Sequence, residues 1–204
     1  PVKKILAGLK SLGFDKVAEV ARGAEIATAA LREYLSHPGI KKPVISSACP
    51  ASVRLILVKY PELIEYLSPV DAPVEIAARI ARQEAALQSG LPQESIGVWF
   101  ITPCPAKMTA VLEPIGVSKS ALTGTISMLS IYGELLKSIS GIGDAAETPL
   151  ASAEGVGWAV AGGEASGLDD AKILVAHGIR NVSNVLEQLA LGKLNDVDFI
   201  ECLS

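Results

Sequence analysis

Apolar residues recur along this chain in two alternating patterns. In the first, the apolar positions of VKKILAGLKSL (2–12) recur at the spacing of one helix face. In the second, short runs rich in β-branched residues, such as 43–47 and 172–177, predict strands. Because strands alternate with helices, we expect parallel sheets with helices on their faces. The pattern therefore predicts an α/β fold.

Two further segments have distinctive patterns. Residues 95–102 form the most continuous apolar run, which predicts a strand buried on both faces. Residues 118–139 begin among Ser and Thr and contain no proline, which predicts one long helix. The other predicted elements are helices over 24–36, 51–60, 73–88 and 181–191 and strands over 155–161 and 198–202.

The composition excludes several classes of protein. Half of the 204 residues are apolar, which excludes an intrinsically disordered chain. The 18 Lys and Arg residues against 22 Asp and Glu leave a net charge of −4, which argues against a nucleic-acid partner. No apolar run reaches the roughly 20 residues of a membrane span, and residues 1–20 are unlike a signal peptide. We therefore expect a cytoplasmic protein without a membrane partner.

Two of the three cysteines follow predicted strands. Cys49 comes after the 43–47 strand, Cys104 comes after the 95–102 strand, and a proline follows each. Ligands bind beyond the carboxyl ends of strands in open parallel sheets, and thiolates favour iron–sulfur clusters, zinc or copper(I). Two thiols cannot complete a site with four ligands. The spacing alone therefore leaves a metal site and buried free thiols as alternatives.

The residues around these cysteines resemble motifs of the iron-only (FeFe) hydrogenases. SSACP (46–50) is similar to their T-S-C-C-P motif, and TPCPAK (102–107) to the start of their M-P-C-x-x-K-x-x-E motif. The segment FIECLS (199–204) resembles the run into their third motif, F-I/V-E-x-M-A-C-x-x-G-C. Shorter matches lie at LGFD (12–15), YPEL (60–63) and LS (67–68), and all matches keep the order of the family.

The resemblance implies a two-lobed α/β domain, each lobe a small, mostly parallel sheet flanked by helices, with the cofactor cleft between them. In this family the cofactor is the H-cluster, a 4Fe–4S cubane joined through a cysteine to a two-iron centre with CO and CN ligands. Cys49 and Cys104 would ligate the cubane, and Lys107 would contact a cyanide. Thr102 and Pro103 would also lie against the cofactor.

The alignment also predicts where the domain is incomplete. Residues 1–204 would be a fragment of it, incomplete at both ends, with a lobe boundary near 90. Cys202 stands at a variable position of the third motif, and the third cubane ligand would fall at position 205. We therefore expect Cys202 to be a free thiol, and the resemblance leaves open whether this fragment is metal-free.

Three departures from the family pattern bear on the chemistry. Ala48 replaces the cysteine that shuttles protons, Ala110 replaces the glutamate of the second motif, and Thr102 replaces its methionine. An alanine has no exchangeable proton and cannot act as a general acid or base. These departures resemble the sensory branch of the family.

Three functions are therefore compatible with the sequence. The first is a hydrogen-sensing or redox regulatory module with slow hydrogen oxidation or evolution, beside a ferredoxin-type or signalling domain. The second is an active hydrogenase whose protons take a different path, for example through Glu33. The third is a non-catalytic iron–sulfur scaffold. Whether the domain is an enzyme depends on how far Ala48 and Ala110 weaken hydrogen turnover, since they favour weak or lost activity.

Overall fold

The fold was obtained as a computed structural model that describes residues 2–115, 119–143 and 151–203. These residues form two sheets, in which every pair of neighbouring strands is parallel. The strands are β1 (Val44–Ile45), β2 (Trp99–Thr102), β3 (Gly124–Ser127), β4 (Ile173–His177) and β5 (Phe199–Leu203). One sheet has the order β1-β5-β4, and the other pairs β2 with β3. The predicted α/β class with small parallel sheets is confirmed.

Helices flank both sheets. They are α1 (Val2–Ser11), α2 (Val20–Ser36), α3 (Pro50–Lys59), α4 (Pro73–Ser89), α5 (Pro105–Leu112), α6 (Met128–Ser140), α7 (Ala153–Gly157) and α8 (Ile179–Ala190). Short 3-10 turns lie at Pro61–Tyr66, Gln93–Ser95 and Ala165–Gly167. None of the helices in the described ranges is long and apolar enough to cross a membrane.

The main core surrounds the central strand β5. Its side chains alternate between two faces, as a strand requires. Ile200 and Cys202 pack in a cluster with Ile56 of α3 and Val182 of α8. On the other face, Phe199 packs in a second cluster, with Leu31 of α2. Because both faces are covered, β5 is buried up to its last residue.

Helix α4 connects the regions around the two sheets. It packs along α2, and the guanidinium of Arg82 donates to the carbonyl oxygens of Ile96 and Ala121, the latter at 2.7 Å. Glu75, in its first turn, accepts the hydroxyl of Ser120 at 2.5 Å and the N–H of Ala121 at 2.7 Å. The segment that leads into β3 is therefore held by the same helix that packs against α2.

The predicted long helix over 118–139 is wrong in its first half. Residues Gly124–Ser127 form β3, and the helix begins only at Met128. Thr125 and Ile126 are β-branched, and they pair in register with Phe100 and Ile101 of β2. Pairing with a strand more than twenty residues away overrides the local helical pattern. The proposed helix start at Ser118 lies outside the described residues.

Two strand predictions also need correction. The predicted strand over 155–161 is wrong, because Ala153–Gly157 form α7 and turns follow it. A Cβ added at Gly155 would lie 2.2 Å from the carbonyl oxygen of Ala21, so this glycine lets α7 approach α2 closely. The strand over 95–102 is shorter than predicted and is not buried on both faces. Its first residue, Trp99, is 52% exposed, because this sheet has only β3 beside β2 in the described part of the chain.

Candidate functional site

The two predicted cysteine loops have the same local structure. Cys49 and Cys104 are the N-cap residues of α3 and α5, with extended backbones at φ −99° and −93°. Pro50 and Pro105 occupy the first helical position, where a proline sacrifices no helical hydrogen bond and its fixed φ suits the helix. Each cysteine is therefore held directly before the first turn of a helix.

The cysteines differ in burial. Cys49 is 7% exposed, whereas Cys104 is half-buried, and neither forms a disulfide. Within residues 2–115, 119–143 and 151–203, no three His, Cys, Asp or Glu side chains converge as a metal site. The two thiols are thus donors of the right kind for an iron–sulfur cluster, but they amount to half of a four-thiolate set.

A cavity of about 380 Å³ lies between α3, α5 and the segment before α4. Ala48, Lys107 and Ala110 lie on its wall, so the structure brings together three positions that the motif comparison singled out. Much of the remaining wall is apolar and includes Val53, Leu57, Leu67, Val70 and Val111.

Four of the predicted site residues do not line this cavity. They are Cys49, Thr102, Pro103 and Cys104. Thr102 is buried, and its hydroxyl oxygen accepts the backbone N–H of Cys104 at 3.1 Å, which orients the second cysteine loop. Pro103 is exposed. The two thiols are therefore not part of the cavity wall, although Ala48 and Pro50 on either side of Cys49 are, and the ligand role of the thiols stays a prediction.

Lys107 is the cation of the cavity. It is half-buried, and it makes no hydrogen bond or ion pair with any residue of the described ranges. The two carboxylates of the wall are engaged elsewhere: Asp71 pairs with Arg79 at 2.6 Å, and Glu75 holds the segment at Ser120. An ammonium group beside apolar walls is stabilised by an anionic ligand. The cavity is therefore suited to an anionic group.

Ala48 and Ala110 contribute only methyl groups to the same cavity. The backbone N–H of Ala48 donates to the hydroxyl oxygen of Ser46 at 3.2 Å. Neither side chain has an exchangeable proton. The cavity therefore contains the ammonium group of Lys107, which can bind an anion, and the side chains of Ala48 and Ala110, which cannot transfer a proton.

Cys202 lies behind the first cysteine loop, fully buried in β5. The pKa of its thiol is raised to about 12, chiefly by burial and to a smaller extent by the nearby Cys49, Glu164 and Glu201. Cys202 is thus a protonated thiol at neutral pH. It forms no disulfide, as expected for a free thiol.

Two buried carboxyl groups beside this loop were missed by the sequence reasoning. Glu164 is 6% exposed, and the hydroxyl of Ser46 donates to its Oε2 at 2.5 Å. Glu201 of β5 is 1% exposed, and its oxygens accept the N–H groups of Gly162 and Ala165 at 2.9 and 2.8 Å. The pKa of Glu164 is raised to about 8, chiefly because burial disfavours its charged form. The sequence signal for Glu164 was that it is the only charged residue in the segment GWAVAGGEASG (157–167), which is typical of a buried carboxyl group.

Known proteins of the hydrogenase family are similar to this chain. The model of the iron only hydrogenase large subunit, C-terminal domain, matches residues 1–120. The chain is 26% identical over 120 residues to the NADP-reducing hydrogenase subunit HndD of Solidesulfovibrio fructosivorans, covering 54% of this chain and 20% of that protein. It is 30% identical over 108 residues to iron hydrogenase 1 of Clostridium pasteurianum, covering 51% and 19%. The chain thus spans about a fifth of the length of these curated relatives.

Solved structures show the same fold. A variant of the FeFe-hydrogenase HydA1 from Chlamydomonas reinhardtii superposes with a TM-score of 0.73 at 16% identity, covering 100% of this chain and 70% of that one. The structure of HydA(deltaEFG), described as a step in H-cluster assembly, gives a TM-score of 0.75 at 15% identity, covering 99% and 70%. Because the family model matches more than half of the sequence, the chain belongs to the family of the iron-only hydrogenase large subunit, C-terminal domain.

Proposed function

We propose that this domain holds an H-cluster-type iron cofactor and works as a hydrogen-sensing or redox regulatory module with slow hydrogen oxidation and evolution. The observation that carries the proposal is that Lys107 and Ala48 both lie on the wall of one largely apolar cavity. The cation that would meet an anionic ligand is present. The thiol that would exchange protons there is replaced by a methyl group.

The chemical groups of this chain are of the types that such a cofactor requires, namely free thiols and a cation. Cys49 and Cys104 would supply two thiolates at helix N-termini, with the remaining thiolates from elsewhere in the protein. When bound, the cofactor supplies the metal chemistry that splits H2 into two protons and two electrons. Lys107 would donate a hydrogen bond to a cyanide ligand, since its ammonium is a compact cation with three donors. Thr102 and Pro103 would hold the second loop against the cofactor.

Slow turnover follows from the groups of the cavity wall. A positioned general acid or base contributes about 10²–10⁴-fold to a proton-transfer step. Ala48 and Ala110 cannot act in this way. Of the two carboxylates of the wall, Glu75 is held by its hydrogen bonds with Ser120 and Ala121, and Asp71 is paired with Arg79. Protons would therefore move through water rather than through a side chain beside the cofactor. A slow reaction suits a module whose redox state is read by a ferredoxin-type or signalling domain.

Infrared spectroscopy tests the cofactor directly. The full-length protein would be purified anaerobically and reconstituted with iron, sulfide and a two-iron complex, and the CO and CN stretching bands recorded. We expect both sets of bands, with the CN bands shifted in Lys107→Met and unshifted in Lys119→Met, an exposed lysine that does not line the cavity. A cubane signal without CO and CN bands would instead identify the non-catalytic iron–sulfur scaffold.

A further inference from the structure

We propose that Glu164 is a positioning residue that holds the first cysteine loop, through Ser46, in the conformation that presents Cys49 at the start of α3. This inference rests on the proposed function in so far as Cys49 is a cluster ligand. The hydrogen-bonded geometry that it uses is independent of any cofactor.

The first part of this geometry is a chain of hydrogen bonds around Ser46. Its backbone N–H donates to the carbonyl oxygen of Ile200 at 2.9 Å, which fixes the residue on β5. Its hydroxyl donates to Glu164 at 2.5 Å and accepts the N–H of Ala48 at 3.2 Å. Ala48 directly precedes Cys49. The Glu164 carboxyl thus sets the orientation of a hydroxyl that restrains the backbone next to the cysteine.

The second part is the support of Glu164 itself. The turn that carries it is attached to β5, because Glu201 accepts the N–H groups of Gly162 and Ala165. The turn also lies tightly against α7, since a Cβ added at Gly163 would lie 2.0 Å from the carbonyl oxygen of Gly157. A positioning group needs such a rigid support, because a mobile acceptor would orient nothing.

A space-filling role alone does not account for a carboxyl group here. Glu164 lies near the carboxylate of Glu201 and the thiol of Cys202, and burying a polar carboxyl group in such a place is costly. A leucine of similar size would fill the same space without that cost. What leucine cannot do is accept the hydroxyl hydrogen of Ser46. The acceptor oxygen is therefore the property that the site uses.

Thiol labelling tests this role with two variants of nearly equal size. Glu164→Gln keeps a neutral acceptor oxygen for Ser46, whereas Glu164→Leu removes it. The rate of alkylation of Cys49 by iodoacetamide would be measured by mass spectrometry in the metal-free, full-length protein, with Cys104 as the internal reference. We expect a rise of about fivefold in Glu164→Leu, the effect of one buried hydrogen bond, and a rate close to wild type in Glu164→Gln.

Two results would overturn the inference. One is an unchanged Cys49 rate in Glu164→Leu, and the other is an equal rise in Glu164→Gln. If Glu164→Leu fails to fold, Ser46→Ala combined with Glu164→Leu leaves neither partner as a buried unpaired polar group. In that double variant, a rise at Cys49 alone that is no larger than in Ser46→Ala supports a role of Glu164 through Ser46, and a larger rise at Cys49 or a parallel rise at Cys49, Cys104 and Cys202 contradicts it.

Cluster retention separates this inference from the proposed function. The reconstituted proteins would be challenged with an iron chelator while the iron–sulfur absorbance is followed. Faster loss in Glu164→Leu than in Glu164→Gln supports both proposals. Selective Cys49 labelling in proteins that never bind iron supports the positioning role and contradicts the cofactor. Bound cofactor with unchanged labelling and unchanged loss contradicts the positioning role alone.

Discussion

The hydroxyl oxygen of Ser46 and the carboxyl oxygen Oε2 of Glu164 lie 2.5 Å apart, although 118 residues separate them in the chain. The first belongs to the loop after β1, and the second to the turn before β4. Both are anchored to the central strand, Ser46 through Ile200 and the turn of Glu164 through Glu201. This contact therefore ties the cysteine loop to a buried polar cluster on the side of Cys202.

The stability of the domain should depend on pH through Glu164. Its pKa is raised from an ordinary value of 4.5 to about 8 in the folded state, so between these values the folded protein binds more protons than the unfolded one. The free energy of unfolding should therefore fall as the pH rises from 5 to 8, by up to about 1.4 kcal/mol per unit. Urea denaturation at pH 5, 6.5 and 8 measures this slope.

Glu164→Gln is the matched control for that slope. Its amide does not titrate, so the free energy of unfolding should vary less between pH 5 and 8 than in the wild type. Hydrogen bonds from Ser152 and Lys42 lower the pKa values of Glu25 and Asp198, respectively. Protonation of these two carboxylates therefore changes the free energy of unfolding at a pH below 5, outside the range of the experiment. An equal slope in both proteins would show that Glu164 does not bind the proton.

Restoring a thiol at position 48 should accelerate hydrogen turnover. Ala48 lines the cavity beside Lys107, so the thiol of Ala48→Cys would reach the place where a proton must be exchanged. We expect a rise of about 10²-fold in hydrogen evolution by the reconstituted protein, the lower range for a positioned acid or base. Ala48→Ser, with a far less acidic hydroxyl, is the control. A wild-type rate already equal to that of Ala48→Cys would contradict the slow sensory module.

Glu33→Gln should leave hydrogen turnover unchanged. Glu33 is exposed and lines a different pocket, with His37 and Arg79, rather than the cavity of Ala48 and Lys107. Turnover by the reconstituted variant and wild type would be compared in one gas-chromatographic assay. A strong loss would favour the alternative of an active hydrogenase whose protons leave through this glutamate.

Helix α2 should tolerate no side chain at Gly23. A Cβ there would lie 2.1 Å from the carbonyl oxygen of Pro73, at the start of α4. Gly23→Ala should therefore lower the free energy of unfolding by about 1–3 kcal/mol, as overpacking does. Gly133→Ala is the opposite control, because open space surrounds Gly133 in α6 and alanine favours the helix by up to about 1 kcal/mol. Thermal denaturation of both variants gives the comparison, and equal stability would contradict the close packing.

Local patterns in the sequence were sufficient for the fold class and for the two cysteine loops. The helix faces of α1 and α4, the strand β4 and the Cys-Pro starts of α3 and α5 all follow from residues close together in the chain. Periodicity and the fixed φ of proline act over a few residues, so these features could be read directly. The motif comparison also identified Lys107 and Ala48, which the fold brings to one cavity.

Contacts between distant segments were decided only by the tertiary structure. Residues 124–127 become a strand because β2 lies beside them, and residues 153–157 become a helix that packs on α2 through Gly155. Glu164 meets Ser46 for the same reason, since nothing within a few residues of either indicates the other. The sequence by itself therefore determined most of the elements and the family, whereas contacts between remote segments determined the remaining elements and the polar groups that surround the first cysteine.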